Sequence, residues 1–423
     1  MDEINSFITK YKNILNNTSD IDLLDTFLND DEYNNFDNME KDDIMNILNE
    51  YQKKINRNNK LKNKKQIKLD TPEIIDTPQI IEEKTLERIE LERKFNKLKN
   101  IILPEQRSPE WFAMRNNKIT ASDAGMVLGL NKYEAQYQFV LNKVFGKEFL
   151  SNEFCYHGKK FEQVVTMYYE YANDVIVDEF GLLGHNTYSF LGASPDGIVS
   201  KYKRDNKTPT PLLGRMLEIK CPFRRKICYT GDIKGDICPI YYWCQVQLQL
   251  ECCDLDECDF VQCVVEEYKT RQDFISDTHD TEYLSKISKL PRGIVIELLP
   301  KNLKENITDN VIYDKTTFLY PPKIDLTIAE LDEWVLEQLD NLPKDKILHR
   351  VIYWKFNEIA CHLIKRDKIW FDENLDTFRL MWDYVEMCRS DPNIAEEFKN
   401  FVNSLSIKNN KKIMKKLDEL YNR

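Results

Sequence analysis

The chain has 423 residues, of which 42% are hydrophobic and 31% charged, with a formal net charge of −11, so it can bury one large core with appendages. The acidic balance argues against a general nucleic-acid coating protein, while an enzyme that grips DNA in a local groove stays open because the field depends on where the charges sit. No run of about eighteen apolar residues is present, so no membrane span is expected, and the acidic start Met1-Asp2-Glu3 lacks the apolar core of a signal peptide, which makes an intracellular protein the expectation.

Residues 1–56 carry apolar residues at helical spacing in pieces (Ile21, Leu23, Leu24, Phe27 and Leu28; Ile44, Ile47 and Leu48) within an Asn- and Asp-rich background. This predicts a helical or partly ordered arm. From Lys53 to Lys68 the chain is basic, and Asp70-Thr71-Pro72 is echoed by Asp76-Thr77-Pro78, so 57–85 reads as a linker. A charged helix over Glu83 to Lys99 leads into the main domain, placed at 86–320. Ser108 is a candidate N-cap with Pro109 at the first helical position, which sets Trp111 and Arg115 on one helix at i and i+4. In Ile119-Thr120-Ala121-Ser122-Asp123, Ser122 can cap the next helix. A helix N-terminus attracts anions, and with Arg115 and Lys118 just upstream that anion would be a phosphate. The plainer alternative is a capped helix and nothing more.

Phe161, Val164, Val165, Tyr168 and Ala172 predict a helix over 156–172, with Glu162 on its polar side and His157 as a packing residue. Short strands are expected at 175–177, 181–183 and within 188–199. Ser194-Pro195-Asp196-Gly197 is followed, after a loop over 201–214, by Met216-Leu217-Glu218-Ile219-Lys220-Cys221-Pro222. Along a strand Glu218 and Lys220 project to one side and Leu217 and Ile219 to the other. Asp196 and Glu218 offer the hard oxygen ligands that suit Mg²⁺. Lys220 can then orient or deprotonate a metal-bound water, or stabilise charge on the transition state, in phosphodiester cleavage. An ordinary surface ion pair on a hairpin is the bland alternative for Glu-x-Lys, and the preceding Pro-Asp-Gly and the apolar strand residues weigh against it.

Residues 241–251 are expected to be helical, with Gln245 and Gln249 at i,i+4 spacing, and strands are predicted at 260–265 and 293–298. Beyond Pro321-Pro322 the region 321–423 reads as helical, from Ile328, Leu331, Trp334, Val335 and Leu339 and later Val351, Trp354, Ile359 and Leu363. Eight of the eleven cysteines fall in 221–263 without a C-x-x-C pair, so reduced, mostly buried thiols are expected in place of a zinc or iron–sulfur site.

Taken in order, Arg115-x-x-x-Ile119-Thr120-Ala121-Ser122, His157-Gly158-x-x-x-Glu162, Ser194-Pro195-Asp196-Gly197, Glu218-Ile219-Lys220-Cys221-Pro222 and Gln245-x-Gln247 resemble the YqaJ-like viral recombinase family, which includes lambda exonuclease, within the PD-(D/E)xK nuclease superfamily. The resemblance covers roughly 105–265 and implies an α/β fold, a restriction-endonuclease-like mixed sheet flanked by helices, here with helical N- and C-terminal extensions. It implies Mg²⁺ or Mn²⁺ held by Asp196, Glu218 and the main-chain carbonyl of Ile219, with Glu162 as a further acidic residue. Lys220 would be the catalytic lysine and Gln245 a helix residue supporting the site, while Arg115 and Ser122 match positions that look to a terminal 5′ phosphate. Where the family has Gly two residues after the Arg this chain has Asn117, which tolerates left-handed backbone angles.

The implied function is metal-dependent exonuclease action on double-stranded DNA ends, 5′ to 3′, in viral recombination, repair or replication. A homo-oligomer and a single-strand annealing partner are the implied partners. Two alternatives stand beside it: a structure-specific endonuclease or Cas4-like nuclease, and a non-catalytic DNA-end-binding module. The Asn-, Lys- and Ile-rich composition fits an AT-rich genome such as that of a giant DNA virus. On that origin the expected location is the host cytoplasm, with packaging into the virion left open.

Overall fold

The computed structural model describes residues 78–106, 108–146, 151–303 and 308–423. The chain divides into two units, Met1–Lys84 and Thr85–Arg423, and apart from the start of the helix Pro78–Lys99 everything that follows lies in the second. The arm expected at 1–56 and nearly all of the linker at 57–85 lie outside the described residues.

The second unit is a mixed α/β fold. Helix α1 (Pro78–Lys99) and helix α2 (Pro109–Asn116) come first. Ser108 accepts from the Trp111 N–H at 3.2 Å, and Pro109 sits at the start of α2, as the N-cap pattern predicts. A short strand β1 (Ile119–Thr120), a 3₁₀ turn (Ala121–Asp123) and the one-turn helix α3 (Ala124–Val127) lead to α4 (Gln136–Phe145) and the long helix α5 (Glu153–Asn173). Strands β2 (Val177–Asp178), β3 (Leu183–Gly184), β4 (Leu191–Ala193), β5 (Gly197–Val199) and β6 (Met216–Lys220) follow, then α6 (Ile240–Cys253) and β7 (Glu257–Glu267). After α7 (Arg271–Ser276), β8 (Arg292–Pro300), α8 (Asp309–Lys315), β9 (Thr317–Leu319) and α9 (Ile328–Asp340) comes the 20-residue strand β10 (Lys346–Lys365). Helices α10 (Lys368–Ser390), α11 (Pro392–Ser404) and α12 (Asn410–Tyr421) close the chain.

Seven strands form one sheet in the order β2-β5-β6-β7-β10-β8-β9, and β1, β4 and β3 form a small second sheet. The β6–β7 pair is parallel, with Glu218 opposite Phe260, whereas β5–β6 and both pairings of β10 are antiparallel. A parallel neighbour requires a crossover connection, and α6 supplies it. Strand period two then divides the side chains between two cores. Leu217, Ile219 and Val261 pack against Phe161, Val164 and Val165 of α5. Met216 and Phe260 join the larger core with Val246, Leu248 and Leu250 of α6 and with residues of α10, α11 and α12. The face of β6 that carries Glu218 is therefore covered by α6.

Residues 351–363 correct the helical reading of the C-terminal region. They lie in β10, which sits between β7 and β8 inside the main sheet. Ile352, Trp354 and Phe356 are buried at period two, and a run of β-branched and aromatic residues suits a pleated surface better than a helix. The stripe Val351, Trp354, Ile359 and Leu363 passes over those alternating residues. Six of the eight cysteines in 221–263 are buried. Cys238, Cys244, Cys252, Cys253 and Cys258 pack in the larger core as small apolar side chains, and Cys263 in the other.

Candidate active site

Asp196 stands in the turn between β4 and β5. Its Oδ2 accepts from the main-chain N–H of Ile219 at 2.6 Å, which pins the turn to β6. Glu218 is fully buried. Its Oε1 accepts from the Lys220 ammonium and from Gln245 Nε2 (2.7 Å), and its Oε2 accepts from Gln249 Nε2 (2.7 Å). Both glutamines lie on α6 one turn apart, so the helix presents two amide donors to the two oxygens of one carboxylate. Lys220 Nζ also lies 4.6 Å from the ring centroid of Tyr242.

Burial, then the charges of Glu218 and Glu162, push the Asp196 carboxyl well above its ordinary range, against Lys220 and the Ile219 N–H. Burial disfavours the Lys220 ammonium, but Glu218 and Asp196 outweigh it and raise this lysine above its usual value. Burial and the charges of Glu162 and Asp196 likewise push the Cys221 thiol up, so Cys221 is a neutral wall of the site. Glu162, reaching in from α5, is close enough for its charge to act on both Asp196 and Cys221.

Gln249 was not among the expected site residues, although its i+4 spacing from Gln245 was the signal that could have found it. Gln247, in the motif Gln245-x-Gln247, points elsewhere. Its Nε2 donates to the Lys365 carbonyl at 2.9 Å and its Oε1 accepts from the Asp367 N–H at 2.7 Å, which ties α6 to the β10–α10 junction.

A second cluster lies upstream. Arg115 stacks on Trp111, with its guanidinium carbon 4.5 Å from the ring centroid, and its Nη2 donates to Ser122 Oγ (3.0 Å) and Thr120 Oγ1 (3.3 Å). Trp111 Nε1 in turn donates to Ser194 Oγ at 3.3 Å, two residues before Asp196. Arg115 and Ser122 are thus in direct contact, and Trp111 links them to the turn that carries Asp196. Ser122 is not the cap expected of it. Thr120, with extended backbone (φ −88°, ψ 156°), opens the 3₁₀ turn and donates to Asp123 Oδ2 through both its N–H (2.9 Å) and its hydroxyl (2.7 Å). Asp123 also pairs with Lys143 of α4 at 3.0 Å. A Cβ at Gly125 would stand 2.6 Å from Tyr241 Cβ, so this position admits the close approach of α3 to α6 only without a side chain.

Lys118 does not join Arg115 and Ser122, because its ammonium donates to the Ser189 carbonyl and its stem lies over Gly192. Asn117 has φ −95°, so the turn needs no left-handed residue. Arg389 of α10 holds it instead, through the Asn116 carbonyl (2.8 Å) and Asn117 Oδ1 (3.2 Å).

Among the described residues, no group of three or more His, Cys, Asp or Glu is set up to hold a metal ion. A preformed cage of that kind is not what Mg²⁺ requires, since it binds through one or two carboxylates and keeps several waters. The donor chemistry here fits such an ion: burial first, and then the charges of Glu218 and Glu162, raise the Asp196 carboxyl beside one ammonium.

An aspartate after proline on one strand connection, a Glu-x-Lys on the next strand and a mixed sheet flanked by helices are the features that the sequence resemblance implies. Residues 110–256 match the family described as the YqaJ-like viral recombinase domain. The chain is similar to an uncharacterised protein, R354, of Acanthamoeba polyphaga mimivirus, with 37% identity over 329 residues, 76% of this chain and 60% of that protein. It is also similar to protein D345L of African swine fever virus (strain Badajoz 1971 Vero-adapted), with 31% identity over 162 residues, 34% of this chain and 45% of that one. The chain thus spans less than two thirds of the length of these relatives. Among solved structures it is similar to the alkaline exonuclease LHK-Exo from Laribacter hongkongensis, at 20% identity over 66% of this chain and 93% of that one, with a TM-score of 0.35. It is similar as well to a phage related exonuclease from Haemophilus somnus 129PT, at 12% identity over 64% and 95%, with a TM-score of 0.34. No described helix is long and apolar enough to cross a membrane.

Proposed function

We propose that this chain is a divalent-metal-dependent deoxyribonuclease that hydrolyses phosphodiester bonds from the ends of duplex DNA, in the 5′ to 3′ direction. The observation that carries the reading is the fixing of Glu218 by Gln245, Gln249 and Lys220 beside Asp196. A structural ion pair does not need both carboxylate oxygens oriented by side-chain amides, whereas a ligand does. Asp196 and Glu218, with the Ile219 carbonyl and with Glu162 directly or through water, would hold Mg²⁺ or Mn²⁺. What such an ion supplies when bound is Lewis-acid polarisation of the scissile phosphate and activation of the attacking water.

The protein's own groups do the rest. Gln245 and Gln249 keep Glu218 in one rotamer, and the Ile219 N–H does the same for Asp196. Lys220 presents an ammonium at the edge of the carboxylates, where it orients the nucleophile or neutralises charge gathering on the phosphate oxygens. Arg115 and Ser122 form the place for a terminal 5′ phosphate, whose contact positions the strand end without reading a base. The viral relatives and the recombinase family support a place in viral DNA recombination, repair or replication inside the infected cell. On the same reading the protein works as a homo-oligomer and passes the exposed strand to a single-strand annealing partner.

The test is incubation with Mg²⁺ of end-labelled linear duplex and covalently closed circular DNA. Release of label from the linear substrate with the circle intact supports the exonuclease. Cleavage of the circle points to an endonuclease, and binding without cleavage of either makes the chain a DNA-end-binding module.

A further inference from the structure

Away from the carboxylates, a recess of about 680 Å³ lies between the connection that follows β6 and the junction of β10 with α10, lined by Lys234, Trp243, Lys365, Arg366, Asp367 and Lys368 among others. Lys234, Lys365 and Lys368 are exposed and enter no ion pair among the described residues, although the chain carries a net charge of −11. Free ammonium groups gathered from two separate stretches of an acidic protein make a local positive field. Neighbouring charges are otherwise committed. Arg366 is held by Glu251 (2.6 and 2.5 Å) and by Asp254 (3.0 Å), and Asp367 caps α10 by accepting from the Trp370 N–H.

The recess also has an apolar side. Lys234 Nζ stands 4.1 Å from the ring centroid of Trp243, and Leu363 and Ile369 are both exposed at the rim. Trp243 itself is buried, so the apolar surface open to a ligand is that of Leu363 and Ile369, and ammonium groups beside it match a nucleic-acid strand whose phosphates meet the lysines while its sugars and bases meet the apolar rim. The volume lies in the range of clefts that take small ligands, which suits one or two nucleotides of a single strand and not the side of a duplex. The recess is mechanically joined to the site, because Gln247 of α6 bonds to Lys365 and Asp367 while Gln245 and Gln249 of the same helix hold Glu218.

We infer that this recess is a single-stranded DNA subsite in which Lys234, Lys365 and Lys368 bind the backbone of the unpaired strand outside the cleavage centre. This rests on the reading of DNA as the substrate. The test is fluorescence anisotropy with a labelled dodecamer of single-stranded DNA in EDTA, over a salt series, comparing the wild type with the triple variant Lys234→Gln, Lys365→Gln, Lys368→Gln. Each lost phosphate contact lowers the log–log salt slope by about 0.7, so the variant is expected to bind at least about tenfold more weakly, with a slope smaller by about 2. Its Mg²⁺-dependent cleavage of a short duplex should stay near wild type. Equal affinity and slope in the two proteins overturn the subsite, as does a loss seen with blocked-end duplex and not with the single strand. A wild type that cleaves nothing but shows the lysine-dependent binding leaves the subsite standing and removes the nuclease reading.

Discussion

Gln249 donates to Glu218 Oε2 at 2.7 Å from a side chain with no solvent exposure, opposite the Oε1 atom that Gln245 and Lys220 share. A carboxylate held at both oxygens loses its rotamer freedom, which is what a metal ligand gains from its supporting shell. Gln249→Leu is therefore expected to lower Mg²⁺-dependent cleavage by about 10- to 100-fold with the fold retained, and raised Mg²⁺ should recover part of the loss. Gln247→Leu should lower thermal stability and leave the cleavage rate near wild type. A Gln249→Leu enzyme with an unchanged Mg²⁺ titration would deny this residue its role.

On the proposed function, the contact of Arg115 with Ser122 makes a prediction about strand ends. Linear duplex with 5′ phosphate should be digested faster than duplex with 5′ hydroxyl, by about tenfold if one charge-assisted contact is at stake. Arg115→Ala should shrink that difference more than it slows the hydroxyl substrate. Equal wild-type rates on the two ends would remove the phosphate pocket and leave the metal site untouched.

The Asp123–Lys143 pair sets a pH dependence of stability. Burial works to raise the Asp123 carboxyl, but Lys143, the Thr120 hydrogen bonds and Arg115 outweigh it and hold the carboxyl below its ordinary value. A depressed carboxylate contributes stability that is fully present above its unfolded value, about 3.9, and is lost as pH falls through the lower folded value. Lys143→Met removes one partner of a mostly buried pair, at a cost of about 3 kcal/mol near neutral pH. Thermal melts of the two proteins should differ most at pH 6 to 7 and converge toward pH 3. A gap that widens on acidification would contradict the sign.

Strand β10 makes the C-terminal residues part of the main sheet. Trp354 is 2% exposed and packs with Phe356, ring centroids 5.0 Å apart. Trp354→Ala should cost about 3 to 5 kcal/mol in denaturant unfolding. Truncation after residue 345 should yield no cooperative unfolding transition, because β7 and β8 would lose the strand between them. A stable, cooperative truncated protein would show that the strand is dispensable.

The meeting of Asp196, Glu218 and Lys220 was legible because it depends on local pattern: a Pro-Asp-Gly turn, strand period two, and apolar Leu217 and Ile219 that fix which face is buried. Gln245 came from the motif resemblance, while helical spacing placed it on α6. The same spacing pointed to Gln249, whereas the motif favoured Gln247, which at i+2 lies on the far side of the helix. Apolar residues over 346–365 satisfy a helical stripe and a period-two pattern together. Pairing with 257–267 and 292–300 decides between them, and that information is not local. The cap at Ser122 failed for a smaller reason: the turn opens one step earlier, at the extended Thr120, and Asp123 completes it.

The most direct test of the account is the rate of Mg²⁺-dependent hydrolysis of 5′-phosphorylated linear duplex by the wild type and by Asp196→Asn, Glu218→Gln and Lys220→Ala, with DNA binding measured in Ca²⁺. Each variant should fold, bind DNA at least in part and lose nearly all cleavage, because each removes a metal ligand or the ammonium beside the reacting phosphate. Near wild-type turnover by any of the three would contradict the site described here.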